Sequence, residues 1–333
     1  MLHIATLQAL LQLSVHHTKT NRFPTYNIIH QPLTGLVGAN KTDEMNLKVL
    51  TRLVACCCLL ASCITGMDTK NPVNIAFRPV IGYDTRADES VPFPEDRTFN
   101  VWAQKDRGGD LYLDNDNIAY KDGWNSPKIW LEEGLSFQAY WPLDIPVSYS
   151  KSEGIQIKGF DCTAGNVDIL IAKAHSDANI DGVLVLPFDH ILSRIEFRMR
   201  HSLSEEMSVR VRKITLNDYA QVGDYNTKTA GQWYSTDYRT SRVVFESAEG
   251  VELPGGDAIY LGDDFYAIPQ VSAPMVEVIY DVRFGNAEWI EQSAEVGPLD
   301  TEWDPSKHYT YTLNLRMDKM VYTTGISSWN NRE

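Results

Sequence analysis

Cysteine is scarce in this sequence, and its placement excludes two classes of site. Five cysteines occur in 333 residues, and Cys56, Cys57, Cys58 and Cys63 lie in or beside one apolar segment. Cys162 is the one cysteine elsewhere, and a single thiol cannot build a disulfide framework or a zinc site. We predict that Cys162 is a small core or surface residue rather than a nucleophile.

Basic residues are outnumbered, and long apolar runs are missing. The sequence contains 30 Lys and Arg against 44 Asp and Glu, a formal net charge of −14. This balance repels nucleic acid and anionic head groups, so we expect no nucleic-acid partner. After residue 63, no apolar stretch approaches the roughly 18 residues of a transmembrane helix. A P-loop, a dinucleotide-binding glycine pattern and a His/Cys cluster are also missing, so we expect no cofactor and no metal.

One short apolar segment has the anatomy of an export signal. Leu53 to Ala61 is apolar, too short to span a bilayer, and preceded by Lys48 and Arg52. The residues at its end, Leu60-Ala61-Ser62-Cys63, resemble a bacterial lipobox. The resemblance implies cleavage before Cys63 and acylation of its thiol, which attaches the protein to outer-membrane lipid. The alternative is a buried helix that happens to contain cysteines, but nothing amphipathic supports it.

This interpretation divides the chain into four parts. Met45 becomes the expected start, so residues 1–44 are a disposable or non-native extension and residues 45–62 a lipoprotein signal peptide. The length of the remainder predicts two domains of roughly 130 residues each. A polar interval at 201–206 marks the expected boundary, which gives an N-terminal domain at 63–203 and a C-terminal domain at 204–333.

Short alternating apolar runs, separated by Gly, Pro, Asn and Asp, make up most of the chain after residue 63. Such runs predict β-strands, and no segment sustains a helical stripe over three turns. Many short strands between turns predict an all-β fold of the β-sandwich type. We expect residues 83–96 to form an exposed loop after the first strand. The clearest runs are Val73–Phe77, Phe99–Val101, Leu135–Trp141, Val167–Ala172, Val183–Pro187, Ile195–Met199, Val209–Val211, Val243–Phe245, Ile259–Leu261, Met275–Tyr280 and Tyr309–Leu315.

Several segments, in their order along the chain, are similar to those of bacteroidal fimbrillin-like proteins. The resemblance implies two tandem transthyretin-like β-sandwich domains in a lipoprotein precursor that is exported to the outer membrane. It also implies a structural or adhesive role in a cell-surface fimbria, with other fimbrial subunits as partners and without catalysis. The similar segments are Phe77-Arg78-Pro79, Phe99 to Ala103, Phe137 to Pro142, Asp168 to Ala172, Leu186 to Phe197, Tyr309 to Leu315 and Ile326 to Trp329.

The same resemblance implies maturation by strand exchange. In this family a protease cuts after an arginine in the loop that follows the first strand, and Arg86 matches that position. Arg78 is less suited because a proline follows it, and the alternative is that no maturation cut occurs. The removed strand contains Val73, Ile75 and Phe77, and its loss exposes unpaired backbone groups and an apolar slot to a neighbour's strand. The candidate donor or closing strand contains Tyr309, Tyr311, Leu313 and Leu315.

One cluster contains the residue types of a catalytic triad. Asp189, His190 and Ser193 lie within five residues of each other. A triad needs side chains that converge in space, together with a nucleophile elbow or a Gly-rich oxyanion loop. The sequence around this cluster contains neither the elbow nor the loop. We therefore favour a strand-connecting turn with a packed histidine.

Acidic residues form three groups that invite a chemical role. Asp110, Asp114 and Asp116 suggest a calcium loop, but the spacing lacks the glycine and the late glutamate of an EF-hand. The adjacent pairs Glu132-Glu133 and Asp263-Asp264 suggest glycosidase carboxylates. Neighbours on a strand point to opposite faces, so neither pair forms a facing acid/base couple. Solvated turns are the favoured interpretation of all three groups.

Aromatic residues could stack on sugar faces, although aromatics in strands are more often core residues. They support a second hypothesis, a non-polymerising surface lipoprotein that binds a glycan or a host protein. A third hypothesis, an extracellular hydrolase, lacks a catalytic constellation. The aromatic candidates are Trp124, Trp130, Tyr140, Trp141, Trp233, Tyr234, Tyr238 and Trp303.

Overall fold

The computed structural model describes residues 72–82, 90–177, 182–228, 231–235, 238–271, 274–299 and 302–329. By its internal contacts the chain divides after Lys70, and every described strand lies in the unit from Asn71 to Glu333. Within the described ranges all regular structure is β, which confirms the all-β prediction. These ranges contain no helix that could cross a membrane.

Twenty-one strands follow one another along the described chain. Apolar and polar residues alternate in most of them, so one face of each strand is buried. The strands are β1 (Asn74–Ile81), β2 (Val91–Pro92), β3 (Thr98–Lys105), β4 (Leu113–Ala119), β5 (Trp124–Ile129), β6 (Leu135–Trp141), β7 (Val147–Ser150), β8 (Gly154–Asp161), β9 (Leu170–Ser176), β10 (Val183–His190), β11 (Ser193–His201), β12 (Met207–Ala220), β13 (Val222–Asn226), β14 (Gln232–Ser235), β15 (Arg239–Glu252), β16 (Ile259–Tyr260), β17 (Phe265–Ala267), β18 (Met275–Phe284), β19 (Ile290–Val296), β20 (Lys307–Leu315) and β21 (Met320–Ser328).

The strands form four sheets. The largest has the order β2-β1-β10-β9-β6-β3-β4, with β5 also paired to β1. A four-stranded sheet has the order β14-β13-β8-β7. The other two have the orders β16-β11-β20-β21, with β17 also on β11, and β15-β12-β18-β19. Two pairs are parallel, β1 with β10 and β11 with β20, and both join segments far apart in sequence.

The buried apolar residues form two hydrophobic clusters. One covers a single face of the eight-stranded sheet and is rich in phenylalanine, including Phe77, Phe99 and Phe188. The other begins on the opposite face of that sheet, where Trp102 stacks on Tyr140 and on Tyr149 of β7, and it includes residues of β8 and β13. It continues between the sheets of β11 and β12, in the face-to-face arrangement of a β-sandwich.

The predicted loop at 83–96 is wrong at its end. Val91 and Pro92 form β2, which pairs with Val80 and Ile81 of β1. Phe93 is 1% exposed because its ring packs into the phenylalanine cluster. An apolar side chain between two prolines therefore returns this segment to the sheet.

The expected domain boundary falls between β11 and β12. β11, which precedes it, pairs along its length with β20 near the end of the described chain. β8 likewise pairs with β13 across the same position. The division into domains 63–203 and 204–333 stays a prediction.

Candidate functional site

β1 lies inside the eight-stranded sheet and has neighbours along both edges. On one side it pairs in parallel with β10, in register from Ala76 opposite Val183 to Ile81 opposite Phe188. On the other side it pairs antiparallel with β5 near its start and with β2 near its end. Removal of β1 would therefore leave unpaired backbone groups on three strands.

The inward face of β1 is fully enclosed. Ile75, Phe77 and Ile81 are each at most 3% exposed. The Phe77 ring meets those of Phe99 and Phe137 edge to face, at centroid distances of 6.1 and 5.8 Å. This geometry suits the opposite charges of ring edge and ring face. Removal of β1 would also open an apolar slot in the core.

The predicted residues around β1 lie in different places. Ile75 and Phe77 lie on β1, whereas Val73 lies one residue before it and is 44% exposed. The Val73 carbonyl still accepts a hydrogen bond from the Trp130 backbone N–H at 2.9 Å. Arg86 and Cys63 lie outside the described residues. Cleavage after Arg86, removal of the first strand and acylation of Cys63 stay predictions.

The predicted donor or closing strand is β20, and it too is an interior strand. Tyr309, Tyr311, Leu313 and Leu315 face inward and are at most 4% exposed. β20 pairs antiparallel with β21 over all nine of its residues, and in parallel with β11 over the eight from His308 to Leu315. Hydrogen bonds hold the tyrosines, since the Tyr309 hydroxyl donates to the carbonyl of Glu302 at 2.8 Å. Its role in exchange stays a prediction.

The triad residue types do not converge. His190 is 1% exposed and shares a hydrogen bond between Nδ1 and the Asp168 carboxylate at about 3 Å, not with Asp189. Ser193 Oγ donates instead to the carbonyl of Asp304 at 2.8 Å. The Asp189 carboxyl, one residue earlier on β10, lies on the opposite, exposed face of the strand. The prediction of a packed histidine is confirmed, but sequence reasoning missed Asp168 because no short spacing connects it to His190.

The acidic groups do not form a metal site among the described residues. No three His, Cys, Asp or Glu side chains there are placed to hold a metal ion. Asp114 and Asp116 lie in β4, so the predicted solvated turn is wrong for them. The Asp114 N–H donates a hydrogen bond to the Asp116 carboxylate at 3.1 Å, where the pairing of β4 with β3 shifts register. Glu132 and Glu133 lie in the bend between β5 and β6, and Asp264 pairs with Arg194. The Glu132-Glu133 and Asp263-Asp264 pairs lie in connections between strands, as predicted.

Three of the eight aromatic candidates are core residues, three are half-buried and two are exposed. Trp124, Tyr140 and Trp303 are at most 7% exposed, whereas Tyr234 and Tyr238 are 48% and 72% exposed. A cleft of about 720 Å³ lies at the end of β1 and combines aromatic rings with charged groups. Its lining includes Arg97, Trp141, Asp144, Asp168, Arg194 and Tyr266.

The free thiol of Cys162 is a core group, as one of its two predicted alternatives stated. It is 2% exposed and lies 3.6 Å from the carbonyl of Ala220. Burial raises the pKa of Cys162 to about 11, so the thiolate is rare near neutral pH. Burial likewise raises the pKa of the neighbouring Tyr219 to about 12. Neither group is poised for nucleophilic chemistry.

Comparisons with known proteins give one family and a set of similar folds. The profile of a family described as fimbrillin-like matches residues 85–329 of the chain. The solved structure of a fimbrial protein from Bacteroides vulgatus has a TM-score of 0.61 and 14% identity, over 78% of this chain and 100% of that one. A candidate cell adhesion protein from Parabacteroides distasonis gives a TM-score of 0.50 and 10% identity, over 79% and 98%. No curated protein matches. At these identities the structural likeness establishes the fold.

Proposed function

The chain belongs to the fimbrillin-like family, and from that premise we propose that it is a structural subunit of a cell-surface fimbria. The family supports a fimbrial or adhesive role at the cell surface and assembly with other subunits. We propose further that subunits join by strand exchange after the first strand is removed, and that the protein acts without catalysis.

The observation that carries this proposal is the interior position of β1. Burial of each of its four enclosed side chains (Ile75, Phe77, Val80 and Ile81) stabilises the fold by about 1.5 to 3 kcal/mol. Their combined contribution, about 6 to 12 kcal/mol, is comparable to the whole stability of a typical domain. A subunit that has lost β1 therefore gains most of its stability back by accepting a strand from a neighbour.

The two predicted roles of β20 differ in cost. A donor strand must leave its own sheet, and β20 would lose the ladders to both β11 and β21. The four apolar residues on its inward face would also leave the core. We therefore propose that Tyr309, Tyr311, Leu313 and Leu315 close the sandwich of their own subunit.

Export and attachment complete the proposal. The lipobox-like sequence at residues 60–63 supports acylation of Cys63 and anchoring in outer-membrane lipid. A multiply acylated cysteine holds a protein far more firmly than one chain does. Cleavage after Arg86 would then release the mature subunit from its anchored N-terminal piece.

Binding of a host glycan or protein without polymerisation is the alternative. The cleft at the end of β1 offers both rings and charged groups. However, the Arg97 guanidinium lies 4.4 Å from the centroid of the Trp141 ring and covers the face on which a sugar would stack. We therefore rank assembly above saccharide binding.

The test is arginine-specific proteolysis of the intact precursor, followed by mass spectrometry and gel electrophoresis without boiling. We expect cleavage after Arg86, a new terminus at Ala87 and SDS-resistant ladders. Arg86→Gln should abolish both cleavage and ladders. Arg78→Gln is the matched control and should change neither, because Arg78 lies within β1 and Pro79 follows it. Ladders of full-length, uncut protein, or a cut protein that stays monomeric, would contradict strand exchange.

A further inference from the structure

The exposed face of β10 forms one wall of a second cavity, on the side of the eight-stranded sheet opposite to the phenylalanine cluster. Ile171 and Lys173 of β9, Pro187 and Asp189 of β10, and Tyr225 of β13 all line it. Its volume is about 320 Å³, at the lower end of the range of about 300 to 1,000 Å³ found for small-molecule sites. We refer to it as the inter-sheet cavity, and its other lining residues are His190, Ile191, Gly231, Pro305 and Ser306.

The hydroxyl of Tyr225 is available to a ligand in this cavity. The Tyr225 side chain is 4% exposed, and its ring packs on Trp233 with centroids 5.3 Å apart. Within the described ranges no group hydrogen-bonds the hydroxyl, so a ligand that did so would gain the bond that the fold leaves unmade. A Cβ atom at Gly231 would lie 2.7 Å from the hydroxyl oxygen, and the glycine therefore keeps the space beside it open. Burial, with a contribution from the Asp189 carboxylate, raises the pKa of Tyr225, so the hydroxyl stays protonated and can donate.

Two charged side chains of opposite sign complete the polar lining. The Lys173 ammonium donates a hydrogen bond to the Thr227 carbonyl at 2.6 Å, which leaves it two further N–H donors. The Asp189 carboxylate forms no hydrogen bond or ion pair with another described side chain, Lys173 included. The cavity thus offers donors from Tyr225 and Lys173, and an acceptor with two oxygens from Asp189.

This combination of groups favours a neutral ligand with hydroxyls. A cation would be repelled by the Lys173 ammonium, and an anion would be repelled by the Asp189 carboxylate. A hydroxyl both donates and accepts, so two adjacent hydroxyls can donate to the two carboxylate oxygens while they accept from the ammonium and from Tyr225. Ile171, Pro187 and Pro305 supply apolar surface for the C–H groups of a sugar ring.

We propose that the inter-sheet cavity binds one neutral pyranose residue through two adjacent hydroxyls, with Asp189 as the acceptor and with Lys173 and Tyr225 as donors. Its volume suits a single ring rather than a long oligosaccharide. The site is distinct from the cleft at the end of β1, where a guanidinium covers the Trp141 ring. Binding requires neither cleavage after Arg86 nor assembly, so the proposal goes beyond the proposed function and either can fail without the other.

The test is a titration of the full-length, uncut protein, followed by the NMR shifts of its backbone amides. The probes are methyl α-mannopyranoside, methyl β-galactopyranoside and methyl β-glucopyranoside. At least one should give saturable shifts in β9, β10 and β13, with a dissociation constant of about 1 mM, as expected for a ligand of this size. The absence of saturable shifts with all three sugars would overturn the proposal.

Two charged probes separate a saccharide site from a peptide site. N-acetyl-lysine methylamide and N-acetyl-glutamate methylamide each present one charged side chain to the cavity. Both should bind at least tenfold more weakly than the best of the three sugars, because each meets a like charge there. Tighter binding of either one would identify a site for a charged peptide side chain and would overturn the saccharide assignment.

Conservative variants assign the binding to the cavity. Asp189→Asn should weaken sugar binding by about tenfold or more, since hydrogen bonds to a charged acceptor are the stronger ones, and Tyr225→Phe should weaken it by about three- to tenfold. Neither change removes a hydrogen bond within the fold, so thermal midpoints should stay unchanged. Asp144→Asn and Tyr266→Phe are the matched controls in the cleft at the end of β1, and the dissociation constant should stay within about twofold in both. Weakened binding in the controls, with unchanged binding in the cavity variants, would place the sugar in the other cleft and overturn the proposal.

Discussion

Truncation of Phe77 gives the most direct test of how much β1 contributes to the fold. Phe77 is 3% exposed and lies at the middle of β1, between the rings of Phe99 and Phe137. Phe77→Ala removes the ring but leaves the backbone pairing to β10 in place. The variant therefore separates the apolar contribution of β1 from that of its hydrogen bonds.

The expected loss follows from burial and ring geometry. Truncation of a buried phenylalanine costs about 3 to 5 kcal/mol, which includes the cavity left behind. Two edge-to-face contacts of about 0.5 to 1.5 kcal/mol each place this site toward the upper end, at about 4 to 5 kcal/mol. With a urea slope of about 2 to 3 kcal/mol per molar, the midpoint should fall by about 1.3 to 2.5 M.

The assay is urea unfolding followed by circular dichroism, with hydrogen exchange of β10 and β5 to localise the effect. Arg78→Ala is the matched control, because Arg78 is exposed on the same strand and its loss should stay within about 0.5 kcal/mol. A loss below about 1 kcal/mol for Phe77→Ala would refute the reasoning. It would mean that β1 contributes little to the stability of its sheet, so a replacing strand would restore little stability.

Two further predictions concern buried polar groups. Asp281 is 2% exposed, and its carboxylate pairs with Arg210 at 2.6 Å, so Asp281→Ala should lower the free energy of unfolding in urea by about 3 kcal/mol. Glu291 is its exposed cross-strand neighbour, and Glu291→Ala should change that free energy by less than about 0.5 kcal/mol. Equal losses in the two variants would contradict a role for the ion pair. The raised pKa values of Cys162 and Tyr219 mean that the folded state binds more protons at high pH, so their contribution to stability is complete below about pH 9 and is lost as the pH rises toward 11 and 12. Urea midpoints at pH 8 and 10.5 measure that loss, and a midpoint that does not fall would contradict the burial of these groups.

The strands with strong alternation could be predicted from the sequence, and the weaker ones could not. β3, β6, β11 and β20 carry apolar residues at every second position, and each lies where the pattern predicts it. β5 escaped detection because Trp124 and Ser126 are its buried positions, and serine carries no apolar signal. Val167 to Ile169 read as part of a strand, yet β9 begins at Leu170.

A local sequence pattern predicts that a strand exists, but it does not predict with which distant strand it pairs. Nothing in the residues near Phe77 indicates that its strand runs parallel to Val183 through His190. The same limit applies to His190, whose hydrogen-bond partner proved to be Asp168 and not the adjacent Asp189. Trp329 was part of a similar segment, but its stacking on Tyr266 depends on the completed fold.

The two parallel strand pairs limit how fast the chain can fold. Ala76 must find Val183, and Arg194 must find His308, each more than one hundred residues away. Closing a loop of that length costs about 4 kcal/mol of chain entropy before any contact repays it, and such topologies fold slowly. During synthesis β1 therefore stays unpaired on one side until the segment of β10 follows. An open edge on β1 is thus an ordinary stage in the folding of every copy, and another strand can compete for that edge from the moment it appears.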